Sequence, residues 1–121
     1  MTARPGSGSS GYYNFNDTST LTDCVAIGIG STAFDGCDNL TGCLVDGNGA
    51  TVNGFYSCNQ VSSCRVWDCT HGINNCDRVS ACDSRNNSDK GFLNCNYLSA
   101  CYAFGNGTNW SNCTHTAACN D

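Results

Sequence analysis

The sequence contains no glutamate and only one glutamine, Gln60, in 121 residues. Asparagine and glycine abound instead, a balance that disfavours helices and favours turns. Basic residues are scarce: Arg4, Arg65, Arg78, Arg85 and Lys90 face ten aspartates, and the net charge is −5. That charge argues against a nucleic-acid partner, whose phosphates demand a basic face. No run of about 18 apolar residues exists, so no membrane span is expected. The start of the chain also lacks the apolar core of a secretory signal. Residues 1–14, with Pro5-Gly6-Ser7-Gly8-Ser9-Ser10-Gly11 at their centre, read as a flexible, tag-like linker. Residues 15–121 read as one domain.

What the sequence has is a repeat. Phe55-Tyr56-Ser57-Cys58-Asn59-Gln60-Val61-Ser62-Ser63-Cys64 returns as Ile73 to Cys82 and again as Phe92 to Cys101. Cutting at the first position of the phrase gives about six rungs, starting at Phe15, Phe34, Phe55, Ile73, Phe92 and Trp110 and spaced 18–21 residues apart. The fourth position then holds Thr18, Cys37, Cys58, Cys76, Cys95 and Cys113. The seventh holds Leu21, Leu40, Val61, Val79, Leu98 and Thr116, and the tenth Cys24, Cys43, Cys64, Cys82, Cys101 and Cys119. A single rung cannot bury its apolar side, whereas stacked rungs make a continuous core. Rungs this short are too small for paired helices and suit one coil of a parallel β-solenoid. The expected fold is therefore all-β, a single solenoid with two stacked cysteine columns. Inward positions three apart do not fit plain strand alternation, so each strand must be very short, with a bend every few residues. Gly54, Gly72 and Gly91, just before the first position, are expected to turn the chain back into the stack.

The stretch from Phe15 to Asp121 resembles right-handed parallel β-helices of the pectin-lyase-like kind. Phrases such as Gly91-Phe92-Leu93-Asn94-Cys95-Asn96-Tyr97-Leu98-Ser99-Ala100-Cys101 resemble more narrowly the cysteine-rich repeats of phage tail fibres and bacterial surface adhesins. That resemblance implies an elongated, stiff shaft on an extracellular fibre or virion surface. A coil of 18 residues also suits left-handed solenoids.

Three states of the cysteines compete: packed thiols, disulfides between positions four and ten of one rung, and soft-metal ligands. Packed thiols are favoured, since Thr18 would leave Cys24 without a partner in its own rung. Rung-to-rung disulfides are awkward, because stacked parallel Cβ vectors stay about 4.8 Å apart. Spacings typical of zinc sites are lacking, with Cys64 and Cys69 the nearest approach, and no metal or cofactor is expected. No double threonine column flanks the cysteines, which weakens an ice-binding reading. His71 and His115 fall in different rungs and in no catalytic motif, so no enzyme is expected. Tyr56, Trp67, Tyr97 and Tyr102 fall at outward or loop positions and are candidates for glycan contact. The expected role is a structural fibre module that associates with copies of itself and displays a glycan- or receptor-binding edge. A dedicated glycan-binding or ice-binding module is the alternative.

Overall fold

A computed structural model describes residues 2–3 and 20–121, an all-β parallel solenoid of about five turns. Each coil has three sides. The first side stacks β4 (Thr32–Asp35), β7 (Asn53–Tyr56), β10 (His71–Asn74), β13 (Lys90–Leu93) and β16 (Thr108–Ser111). The second stacks β2 (Thr20–Thr22), β5 (Asn39–Thr41), β8 (Gln60–Ser62), β11 (Arg78–Ser80) and β14 (Leu98–Ser99). The third stacks β1 (Thr2–Ala3), β3 (Val25–Ile27), β6 (Leu44–Asp46), β9 (Arg65–Trp67), β12 (Asp83–Arg85) and β15 (Tyr102–Phe104). Every pairing is parallel, and β1 lies beside β3 with Thr2 opposite Val25. The coil count falls below six because the first-side stretch of the rung that starts at Phe15, residues 15–19, lies outside the described residues. The last coil also continues β14 and β15 only as single bridges, Ser99 to Ala117 and Tyr102 to Asn120. No helix among the described residues is long and apolar enough to cross a membrane.

Register is residue for residue. Phe34, Phe55, Ile73, Phe92 and Trp110 are successive partners on the first side. On the second side Leu21, Leu40, Val61, Val79 and Leu98 are partners in turn. On the third, Ala26, Val45, Val66, Ser84 and Ala103 form the inward column. Phe34, Phe55, Ile73 and Phe92 are fully buried, while Leu21 and Trp110 are partly covered. Phe34 stacks on Phe55 with ring centroids 5.0 Å apart, and Phe92 on Trp110 at 4.6 Å. Burial of such side chains is worth about 1.5–3 kcal/mol each, and three sides converge on one core. Phe15 lies outside the described residues.

The corners explain why inward positions recur every three residues. Between the first and second sides, Gly36, Ser57, Asn75, Asn94 and Asn112 all adopt φ between 52° and 63°. Between the second and third, Asp23, Gly42, Ser63, Ala81, Ala100 and Ala118 adopt φ between 51° and 65°. A left-handed residue at each of these two corners swings the chain by enough to aim the next side chain inward, and at both corners that next residue is always cysteine. Asn and Gly tolerate this conformation best. The glycines before the first position have a different role from the one expected. Gly54, Gly72 and Gly91 are buried inside β7, β10 and β13, where a Cβ would lie 2.4 Å from Val66, 2.1 Å from Ser84 and 2.5 Å from Asn106. They are there for close packing of the first side against the third, not for a turn.

Candidate functional site

Eleven of the twelve cysteines form the two interior files at these corners, and none of the twelve is joined in a disulfide. Cys37, Cys58, Cys76 and Cys95 are buried at the first corner, with Cys113 half-buried in the last coil. Cys24, Cys43, Cys64, Cys82 and Cys101 are buried at the second, with Cys119 half-buried. Each thiol reaches a backbone carbonyl two residues back. Cys64 Sγ donates to Ser62 O at 3.3 Å and Cys76 Sγ to Asn74 O at 3.4 Å. Several also reach the coil below, as Cys82 Sγ does to Val61 O at 3.3 Å and Cys95 Sγ to Ile73 O at 3.3 Å. A narrow corner therefore needs a small apolar side chain with one weak donor, and cysteine meets both needs. Cys69 belongs to a third corner. Its N–H donates to Asn87 Oδ1 at 3.0 Å, and the Asn87 N–H in turn to Asn106 Oδ1 at 2.9 Å. Burial, with Asp68 and Asp46 nearby, pushes the Cys69 thiol up to about 12. Burial likewise pushes Cys101 up to about 11. These groups are protonated, inert packing at neutral pH. Among the described residues no group of three or more His, Cys, Asp or Glu is placed to hold a metal ion.

Chemistry accessible to a ligand lies on the outer surface. The first side carries a polar chain. Asn53 Nδ2 donates to Thr32 Oγ1 at 3.4 Å, Asn74 Nδ2 donates to Asn53 Oδ1 at 2.9 Å, and His71 meets Asn53 and Asp89 through its two ring nitrogens at 3.3 and 3.1 Å. Lys90 Nζ donates to Asp89 Oδ1 at 2.7 Å, and Lys90 followed by His71 holds the Asp89 carboxyl below its ordinary value. Every member of this chain has a partner within it. His115 sits far from it, on the second side, where it stacks on Tyr97 at 4.5 Å.

The third side is different. Its outward positions flank the small inward column, so two files of side chains run along it. Leu44, Arg65, Asp83 and Tyr102 form one, and Asp46, Trp67, Arg85 and Phe104 the other. Arg65, Trp67, Asp83, Arg85 and Asn86 line a cleft of about 320 Å³. Arg85 Nε donates to both carboxylate oxygens of Asp83, at 2.8 and 2.9 Å, and its terminal nitrogen also contacts Asp83 Oδ2. That bond to Asp83 holds the Arg85 guanidinium charged, above its ordinary value. Arg85 also lies over the Tyr102 ring, 5.9 Å from its centroid, and Tyr102 stacks on Phe104 at 6.4 Å. Arg65 has no carboxylate partner among the described residues.

The aromatic residues picked from the sequence are thus divided among the sides. Trp67 and Tyr102 share the third. Tyr56 is half-buried on the first, between Asp35 and Asn74. Tyr97 is exposed at a bend of the second with φ 48°. Arg65, Arg85 and Asn86 were not singled out from the sequence. Their signal was available, since Arg65 and Trp67 flank the inward Val66 just as Asp83 and Arg85 flank Ser84. Comparison with known proteins yields no match to a protein family, a curated protein or a solved structure.

Proposed function

We propose that the chain is a stiff shaft module of an extracellular or virion-surface fibre, which associates with further copies of itself. The observation that carries this reading is the unbroken register on all three sides. Each of the three inward columns runs through successive coils without a shift, so no hinge interrupts the stack. Stacked strands rise about 4.8 Å per coil, and a rod built this way resists bending because every coil is hydrogen-bonded to the next on three sides. The last coil leaves Trp110, Cys113 and Cys119 half-exposed around a depression of about 580 Å³. These are members of the core columns, so a further coil placed there would extend the same core. That coil can come from a following stretch of chain or from another copy.

Sedimentation velocity over a range from about ten to several hundred micromolar tests self-association. A mass that rises with concentration supports it; a constant monomer mass at the top of that range defeats it. A second reading, display of a glycan-binding edge, is favoured by the third side. There Trp67, Tyr102 and Phe104 present ring faces beside Arg85, Asp83 and Asn86, the mixture of apolar planes and fixed hydrogen-bonding groups that sugar rings need.

A further inference from the structure

We infer that the third side is the face through which two copies of this chain pair, side by side, with their coil axes parallel and a two-fold axis running between them. The inference rests on the self-association proposed above and names the surface and the symmetry through which it acts.

Composition singles out this side. Of the ten outward positions on β3, β6, β9, β12 and β15, six are apolar: Val25, Ile27, Leu44, Trp67, Tyr102 and Phe104. None of the ten is buried within the chain. The outward positions of the first side hold only Tyr56 and Leu93 as apolar residues, and those on the strands of the second side hold none. An exposed apolar strip of this kind marks a contact surface. Charge points to the partner. On the third side Arg65 and Arg85 balance Asp46 and Asp83, so three basic and eight acidic residues, the whole −5, belong to the rest of the chain. A second copy is therefore repelled least along this side.

The strip also complements itself. A two-fold axis parallel to the coils sets each residue of one file opposite the other file's residue in the same row of the second copy. Arg65 then meets Trp67, a guanidinium over an indole. Asp83 meets Arg85. Within its own chain Arg85 spends Nε and one terminal nitrogen on Asp83, and its remaining N–H groups serve Asp83 of the second copy, so the four groups alternate in sign. Tyr102 meets Phe104, which adds to the stack the two rings form within each chain at 6.4 Å. Val25 meets Ile27. Only the row of Leu44 and Asp46 gains nothing. Every one of these residues stands on a strand in fixed register, which lowers the ordering cost of pairing.

An antiparallel pair matches less well. Centred between β9 and β12 it sets Arg65 against Asp83, but it also sets Asp46 against Phe104 and leaves the β3 row uncovered. Three-fold packing would set this strip against a different surface and lose the self-match. The strip spans five rows about 4.8 Å apart and two files, roughly 300 Å² on each copy. A standard interface buries about 800 Å² per partner, so one module pairs weakly, and the contact grows with each coil added to the stack.

Sedimentation velocity of the whole chain and three variants tests the inference, with circular dichroism confirming that each variant keeps its coil. The unaltered chain should dimerise with a dissociation constant of roughly tens to hundreds of micromolar. Arg85→Asp sets a carboxylate against Asp83 of the second copy and should weaken the dimer at least about ten-fold. Adding Asp83→Arg to that variant restores opposite charges across a parallel two-fold axis, and should bring the dimer back to within about three-fold of the unaltered chain. Phe104→Ser, at an exposed position, should weaken the dimer without touching charge. A double variant as weak as Arg85→Asp alone overturns the parallel arrangement, because an antiparallel pair would set the new arginine against Arg65. A mass that settles at three copies overturns the two-fold axis. Association that none of the variants changes overturns the third side as the contact while self-association stands, and a constant monomer mass overturns both.

Discussion

At Ala81, Ala100 and Ala118 the backbone sits at φ 51–52°, where an L side chain is strained and glycine is not. The same corner holds Gly42 two coils below Ala81, at φ 65°. Ala81 and Ala100 are exposed, so their methyl groups contribute little packing. Ala81→Gly should therefore stabilise the fold, by about 0.5–1 kcal/mol, despite the greater freedom of glycine in the unfolded chain. A higher denaturant midpoint with unchanged slope would show it. The opposite change belongs on the first side. At Gly72 a Cβ would lie 2.1 Å from Ser84 Oγ and 2.7 Å from the Gly91 carbonyl oxygen. Ser84 Oγ already donates to that carbonyl at 2.8 Å and accepts from Asn87 Nδ2 at 3.0 Å, so it has nowhere to go. Gly72→Ala should cost about 1–3 kcal/mol by overpacking, read from the same denaturation curves.

The columns are the elements that hold the coils together. Ile73 lies between Phe55 and Phe92 and is fully buried. Ile73→Ala removes side-chain atoms from a column that cannot collapse without moving two coils, and should destabilise by about 2–5 kcal/mol. The cysteine files make a separate prediction about pH. For a thiol whose folded value is raised, the folded state keeps its proton after the unfolded chain has lost its own. The stabilisation is complete below the ordinary thiol value near pH 9 and is lost as pH rises through the folded values, about 11 for Cys101 and about 12 for Cys69. Stability should thus fall across pH 9–12. Alkylation at pH 8 should reach Cys113 and Cys119 first, since both are half-buried and the other ten thiols are closed off from the reagent. Peptide mapping reads the order, and twelve labels in denaturant confirm the thiol state. Much of this was legible in the sequence. Identical residue types at fixed intervals can only mean stacking, and Thr18 argued against cross-coil disulfides before any coordinates did. The side on which each outward residue falls was not legible, because it depends on where the left-handed corners sit, and Ser57, Ala81 and Asp68 take that conformation without a glycine to announce it. The Cys69, Asn87 and Asn106 corner was hidden for another reason: its residues stand at the same position of their coils, but the type changes from cysteine to asparagine, so no column of one kind announces it.

Across the whole molecule each coil touches only the coil before and the coil after it, so stability is a sum of neighbouring interfaces. Hydrogen exchange can test that directly, because the same bond recurs in covered and uncovered coils. The Asp77 N–H donates to Cys58 O at 3.1 Å and the Asp83 N–H to Cys64 O at 3.0 Å, in a coil packed on both faces. The Thr114 N–H donates to Cys95 O at 3.0 Å and the Asn120 N–H to Cys101 O at 3.0 Å, in the coil that opens onto the depression around Trp110. The local geometry is alike, so a difference in exchange reports only how many interfaces must break to open each coil. For the dilute chain, Asp77 and Asp83 should be protected at least about 100-fold more than Thr114 and Asn120, a difference of about 2.7 kcal/mol. Uniform protection would mean that the stack opens as one block and that the nearest-neighbour account is wrong. Raising the protein concentration then separates two ways of building a fibre. Copies that stack end to end cover the coil at Trp110 and should slow exchange at Thr114 and Asn120 alone. Copies that pack side by side leave that coil open, and should instead cover exposed side-wall residues such as Tyr97 or Phe104 while the exchange at Thr114 and Asn120 stays fast.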